Sequence, residues 1–269
     1  MKKLLLFALA PISCFALEQD PWFGHCFEFI FRADYSYDFF SKIDHSTRFL
    51  DKTQHTHVFG TELELTAPDT WNWQLELELA TTTPVSFGYR SFALQVEKLW
   101  FDDVCGDPFS LTTGFVYRDV SSRFLRAHST PYHARANFEL FSAIGKEWSH
   151  GHCWYFRTFA LGAVGQASRG APWVRGDLTF WGNYCDKHQV RLYVKSYFGF
   201  GSNESVSINH FSGWANIRHK SVDTGGSYSY HTSIYGSFRF DYVHRLYAKS
   251  YPEHVNFFQL TYELPFCPF

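Results

Sequence analysis

Hydrophobic and polar residues alternate without interruption from Trp71 to Ala80. Trp71, Trp73, Leu75, Leu77 and Leu79 fall on one face, and Asn72, Gln74, Glu76, Glu78 and Ala80 on the other, a period of two that predicts an extended strand. Phe59-Gly60-Thr61-Glu62-Leu63-Glu64-Leu65 has the same alternation, and Thr66-Ala67-Pro68-Asp69-Thr70 joins the two stretches. They predict an antiparallel hairpin over about 55–80, with one apolar face and one face carrying four glutamates. A soluble sheet would turn the apolar face to a core and the glutamates to bulk water. A transmembrane barrel would turn the apolar face to lipid and the glutamates to a lumen.

The same pattern recurs along the chain. Further strands are expected over 25–37, 87–101, 109–119, 132–142, 151–164, 173–184, 189–200, 208–220, 227–242 and 254–266, with the poorest alternation in 208–220. Short turns are expected at 66–70, 102–108, 185–187 and 221–226, and longer polar loops at 38–53, 120–131 and 243–253. The expectation is an all-β fold: a closed antiparallel transmembrane β-barrel of about 12 strands, within a range of about 10–14. An even number of strands returns the chain to its starting side, and closure removes the edges that a long open sheet would have to protect. A soluble β-sandwich is the competing fold.

Composition favours the barrel. Of 269 residues 20% are aromatic, yet mean hydropathy is -0.24, as expected when half of each strand meets lipid and half meets water. The net charge of -2 and the lack of a basic tract give no nucleic-acid signal. Met1-Lys2-Lys3 followed by the apolar run Leu4–Ala10 reads as a secretory signal peptide over 1–16, cut after Ala16, leaving one domain over 17–269. Pro11 argues against the lipoprotein site that Cys14 would suggest, and the apolar run is too short to span as a helix.

These features together resemble the outer-membrane β-barrel proteins of Gram-negative bacteria. The resemblance rests on the signal Lys2 to Ala16, the alternating strands over 25–266, and the terminal Phe269 behind Phe258, Leu260, Tyr262, Leu264 and Phe266. Phe269 is out of phase with that run, and Pro265 and Pro268 interrupt it, so the last strand is expected to end near Leu264. The resemblance implies residence in the outer membrane, with outer-membrane lipids and the outer-membrane assembly machinery as partners.

Five cysteines follow the signal, and the threading puts Cys26, Cys105, Cys153, Cys185 and Cys267 at or near the periplasmic rim. They are either unrelated small hydrophobes or the disulfide chemistry of an oxidising envelope. An odd number leaves one thiol free or paired with another envelope protein. In this the chain weakly resembles the cysteine-containing envelope proteins of chlamydia-type bacteria.

The polar faces divide by charge. Glu62, Glu64, Glu76, Glu78 and Glu97, with Glu28, belong to the first four strands; Arg135, Arg157, Arg175, Arg191 and Lys195 belong to the sixth to ninth. If all point inward, an acidic and a basic wall face each other. Two outcomes stay open: a salt-bridged plug in a structural or adhesive protein, or a wet transverse field in a narrow channel for small polar solutes. A lipid hydrolase is a third reading, because His210-Phe211-Ser212 and His231-Thr232-Ser233 have a His-x-Ser spacing, with Asn209 and Asn216 nearby. With 14 histidines that spacing arises by chance, and His231 and Ser233 fall on the lumen face. His55 and His57 share a face, but no nucleotide, zinc or calcium motif accompanies them, and no cofactor or catalytic residue is assigned.

Overall fold

The computed structural model describes residues 17–150, 153–232 and 235–267. The signal-peptide reading and Phe269 therefore lie outside the described residues. The strands are β1 (Phe29–Phe40), β2 (Lys42–Ile43), β3 (Gln54–Ala67), β4 (Trp71–Thr82), β5 (Val85–Phe101), β6 (Ser110–Val120), β7 (Ala136–His150), β8 (Trp154–Ala167), β9 (Trp173–Tyr184), β10 (His188–Gly199), β11 (Lys220–Thr232), β12 (Gly236–Lys249), β13 (Pro252–Glu253) and β14 (Asn256–Phe266). Twelve of them form a closed antiparallel barrel in chain order, with β14 returning to pair with β1; β2 and β13 make a separate two-stranded sheet. The closing seam runs in continuous register from Phe29 opposite Phe266 to Phe39 opposite Asn256. Closure satisfies the backbone of every strand within the sheet, which a hydrocarbon surround demands.

The opening hairpin shows which face is outside. Trp71, Trp73, Leu75 and Leu77 are each more than 40% exposed, whereas Asn72, Gln74, Glu76 and Glu78 are buried. Leu63, Leu140, Val164, Leu178, Leu192 and Leu260 continue the exposed apolar surface around the barrel. Trp71, Trp100, Trp148, Trp154 and Tyr184 ring one end of it, and Tyr35, Tyr37, Phe59, Tyr89 and Tyr242 lie toward the other. An apolar belt between aromatic girdles is a lipid-facing surface.

The two rims differ. One holds the short turns after β3, β7, β9 and β11, the longer turn after β5, the start of β1 and the end of β14. The other holds the loops 41–53, 121–135 and 200–219. In outer-membrane barrels the short-turn rim is periplasmic and the long loops are extracellular.

Twelve strands are present, but two expectations fail and offset each other. Residues 208–220 are largely loop, and the single strand expected over 227–242 is in fact parts of β11 and β12. The expected turn at 221–226 is inside β11. Its Gly225-Gly226 pair had signalled a turn, yet a Cβ at Gly225 would lie 2.6 Å from the Tyr193 ring and 2.6 Å from the Tyr242 carbonyl oxygen. The glycine is there so that a neighbouring ring can approach, not to reverse the chain. β14 also continues to Phe266 rather than ending near Leu264, and the strand expected from residue 25 starts at Phe29.

Leu77 sits in mid-strand on the lipid face. Leu77→Arg is expected to destabilise the barrel by about 2–4 kcal/mol in lipid vesicles, as charge near the bilayer midplane does. Urea unfolding of the vesicle-embedded protein measures it; a change within about 0.5 kcal/mol would mark an ordinary water-facing position instead.

Candidate functional site

The lumen is organised around two groups of charge. Glu62, Glu64, Glu76, Glu78 and Glu97 all point inward and are buried, as the alternation requires. Arginines on the same side of the barrel meet most of them. Arg32 of β1 bonds the Glu62 carboxylate, lies 2.6 Å from Glu64 and 2.8 Å from Glu263. Arg118 of β6 bonds Glu76, and Arg90 of β5 approaches Glu78 at 3.5 Å. The Tyr132 hydroxyl, from the loop after β6, donates to Glu78 at 2.8 Å and accepts from Arg118 at 3.1 Å. The acidic wall thus carries its own cations. A register shift beside Glu78 and Leu79 breaks the simple count along β5 at Arg90, whereas Arg118 keeps the parity of β6 opposite Phe115 and Tyr117 and was open to the same reading as the other inward arginines.

The basic wall is on β8 to β12. Arg157, Arg175, Arg191 and Lys195 face inward as expected, joined by Arg239 of β12. Arg135 does not: it lies in a bend ahead of β7, its side chain is 74% exposed, and it faces Asp119 at 3.5 Å. The alternation that implied an inward side chain begins only at Ala136.

The N-terminal stretch Leu17–Phe23 occupies the middle of the lumen, a placement that no strand pattern signals. Leu17 packs among Ala93, Val116, Phe141, Ala143, Leu161 and Ala163. The Glu18 carboxylate bonds Arg239, lies 3.3 Å from Arg191 and 3.6 Å from Arg32. Gln74 and Gln95 donate to its main-chain carbonyl at 3.0 and 2.8 Å. Gln19 bonds Arg175 and donates to Gln95 at 2.8 Å. Trp22 stacks edge-on against Phe159 and Trp181, under the Arg157 guanidinium, and donates to Asp103 at 2.9 Å. Burial alone would raise the Glu18 carboxyl, but Arg239, Arg191 and Arg32 outweigh it and hold it well below the ordinary range. Asp20 goes the other way: burial, then the Glu18 charge, push it up to about 6.

Three spaces of the lumen touch the basic wall. The largest of these, about 240 Å³, lies between Arg157, Arg191 and Arg239 on one side and Glu64, Glu97 and Glu263 on the other, and reaches the periplasmic end. The next, about 110 Å³, is lined by Arg175, Arg191, Lys195 and Arg239. The third, about 80 Å³, is lined by Arg175, Lys195 and Arg245 below the extracellular loops. Those loops close over the lumen: Phe40, Ile43, Val206, Phe211, Trp214, Tyr251 and Val255 form a buried cluster, and Trp214 donates to the Thr130 carbonyl at 2.8 Å. His133 stacks on Trp173 at 4.1 Å and lies 5.2 Å from His219, which stacks on Tyr251.

The remaining candidates separate. His210 and Ser212 are exposed in the capping loop, where the His210 N–H donates to the Ser207 hydroxyl; Ser233 lies outside the described residues. His55 and His57 face outward and meet the hydroxyls of Tyr37 and Tyr35. Among the described residues no group of His, Cys, Asp and Glu could hold a metal ion. All five cysteines lie on the short-turn rim, as the threading placed them, but the expected disulfides are not formed and each is a free thiol. Cys26, Cys105 and Cys267 belong to separate segments; Cys153 and Cys185 share neighbouring turns, where the Cys185 N–H bonds the Cys153 carbonyl and the two thiols touch.

The chain is a twelve-stranded transmembrane β-barrel of the outer membrane of a Gram-negative bacterium, bedded in its lipids. No known protein family and no curated protein matches it. Among solved structures it is similar to the COG4313 outer membrane channel from Pseudomonas putida F1, with a TM-score of 0.62 at 11% identity over 93% of this chain and 99% of that one. It is also similar to the NanC porin (TM-score 0.52, 10% identity, 87% of this chain and 97% of that one). The translocator domain of the autotransporter NalP from Neisseria meningitidis is a third (TM-score 0.50, 9% identity, 88% and 89%). At these identities the likeness is one of fold. None of them links the chain to the envelope proteins of chlamydia-type bacteria.

The buried histidines make the extracellular cap sensitive to acid. Burial, helped by the neighbouring His219, lowers His133 well below its ordinary 6.5. Burial lowers His219 to about 4, with Arg245 adding to it against the Ile217 carbonyl. An opened cap would take up protons that the closed one refuses, so closure is fully favoured above about pH 6.5 and weakens as pH falls toward 4. Limited proteolysis within 200–219 is expected to accelerate over that range, and His219→Gln is expected to flatten the acid dependence.

Proposed function

We propose that the protein is a gated outer-membrane channel for small polar solutes, its conduit running along the basic wall of β8 to β12. The observation that supports this is the division of the lumen. Glu62, Glu64, Glu76 and Glu78 are paired with arginines fixed to the barrel, whereas three spaces of the lumen are each lined by basic residues of the opposite wall, from Arg157 to Arg245, with carboxylates beside them. Water-filled space beside fixed charge is what a selective pore requires. The N-terminal stretch and the extracellular cap hold this path shut, so the channel rests closed. The names of two similar barrels, a channel and a porin, agree with the reading, although fold alone does not assign function. We further assign the mature N-terminus to Leu17, with assembly by the outer-membrane machinery.

Deletion of residues 17–23 tests the gate. In planar bilayers the wild-type barrel is expected to open rarely, and the deletion variant to show discrete, anion-preferring openings at least tenfold more often. A variant that shifts on electrophoresis as a folded barrel yet stays electrically silent would move the assignment to a structural envelope protein. N-terminal sequencing of the native protein is expected to begin at Leu17.

A second reading concerns the rim. Because the Cys153 and Cys185 thiols touch, they are the pair an oxidising envelope would join, leaving Cys26, Cys105 and Cys267 for bonds to other envelope proteins. Non-reducing electrophoresis and peptide mapping of native envelopes check it; a Cys153–Cys185 crosslink is the expected product, and five freely alkylated thiols would exclude it.

A further inference from the structure

We propose that the three arginines around Glu18 form a binding site for small organic carboxylates, and that Glu18 is its built-in occupant. The proposal deepens the channel reading above and rests on it for the route by which a solute arrives.

The site is built by the barrel but filled from outside it. Arg32, Arg191 and Arg239 project from β1, β10 and β12; β1 and β10 are held in continuous register on both sides, and β12 is continuous with β14 and carries one register shift, at Val222 and Asp223, against β11. Their shared anion comes from a stretch with no secondary structure, whose first main-chain to main-chain hydrogen bond to the wall among the described residues is at Phe27. If Glu18 leaves, Arg32 keeps Glu62, Glu64 and Glu263, and Arg239 keeps Asp241. Arg191 keeps the side-chain amide oxygen of Gln189 and the Trp181 ring but no carboxylate, because Glu18 is its one carboxylate partner within 4 Å among the described residues. A guanidinium left so in a narrow lumen draws the next available carboxylate, since charged hydrogen bonds to a carboxylate are the strong ones.

The surroundings say what else the solute carries. Gln74 and Gln95, both at most 1% exposed, grip the main-chain carbonyl of Glu18. Their amide donors lie where a second acceptor on the solute, a hydroxyl or carbonyl oxygen a few atoms from the carboxylate, would be met. The Thr261 hydroxyl, 2% exposed, lines the adjoining space of about 240 Å³ with no hydrogen-bond partner among the described residues. Trp181, buried at the same level, is already covered by the Arg191 and Arg157 guanidinium groups and the edge of Trp22. The class that fits is a small hydroxylated or acylated carboxylate, and the exchange involves no covalent step: one carboxylate replaces another on the same arginines.

The test uses the full-length refolded barrel in detergent, with gluconate as probe, glucose as the neutral control and inorganic phosphate as the competing anion. Titration calorimetry of Glu18→Gln is expected to show gluconate binding at least tenfold tighter than in wild type, because the occupant no longer competes. Adding Arg191→Gln to Glu18→Gln is expected to remove that gain, and glucose is expected not to bind. Equal gluconate binding in wild type and Glu18→Gln would overturn the proposal, as would phosphate binding more tightly than gluconate or a gain that survives Arg191→Gln. Heat-dependent electrophoretic mobility confirms that each variant is folded; should Glu18→Gln not fold, Glu18→Ala and deletion of 17–23 carry the same comparison. Conductance is measured in parallel. Gluconate binding without current would retain the site and refute the channel, whereas current without gluconate binding would retain the channel and refute the site.

Discussion

A closed sheet in hydrocarbon sends every second side chain into a confined interior, and the rest of this molecule follows from that constraint. Lipid supplies no hydrogen bonds, so the strands must close on one another. The pleat then delivers glutamates, arginines and amides into a space bounded by twelve strands. Charge confined there must find a counter-charge or water. On β1 to β6 the counter-charges come from the wall itself, through Arg32, Arg90 and Arg118. On β8 to β12 they come partly from the wall, as Glu139 and Asp177 do for Arg175, and partly from Glu18. Breaking a buried pair leaves an uncompensated charge and costs about 3–5 kcal/mol, so pairs fixed to the wall are permanent features of the lumen. A pair completed by a separate stretch is not bound in the same way.

The fold was legible because a strand writes its two environments into alternate positions. Trp71 to Ala80 show this in ten residues, and the same parity places Glu62, Glu76, Arg175 and Arg191 correctly. Legibility ended where parity did. Arg135 precedes its strand by one residue, and the bend there turns it to solvent. Gly225 and Gly226 look like a turn because glycine is the residue of turns, yet they serve a packed ring inside β11. The strand expected over 208–220 had the poorest alternation of all, and its Phe211 and Trp214 join Val206 in building the cap.

Two parts of the candidate site could not be read from pattern. Residues 17–23 have no period and precede the first expected strand without an assigned role; what they do emerges only from which arginines they meet. The pairing of Arg32 with carboxylates from β3 and β14 depends on closure, since Glu62 and Glu263 reach it from the two strands that flank β1. A count along one strand shows that Arg32 faces inward but not which charges it will face. The thiols differ again: their common rim is a matter of strand direction, which the sequence carries, while contact between Cys153 and Cys185 is a matter of which turns are neighbours around the circumference.

The direction from which the N-terminal stretch enters the barrel has a consequence for its freedom. It precedes β1, whose first residue is on the periplasmic rim, and it runs up the interior without joining the wall's hydrogen-bond ladder until Phe27 donates to the Thr66 carbonyl at 2.7 Å. Among the described residues it takes part in none of the barrel's strand pairings, so it lies in the barrel as a bolt lies in its housing. Drawing it back along the barrel axis would break its ion pairs with Arg191 and Arg239 but no strand pairing. Occlusion and strand pairing are therefore separable in this architecture: the twelve pairings do not depend on whether the bolt is drawn or home.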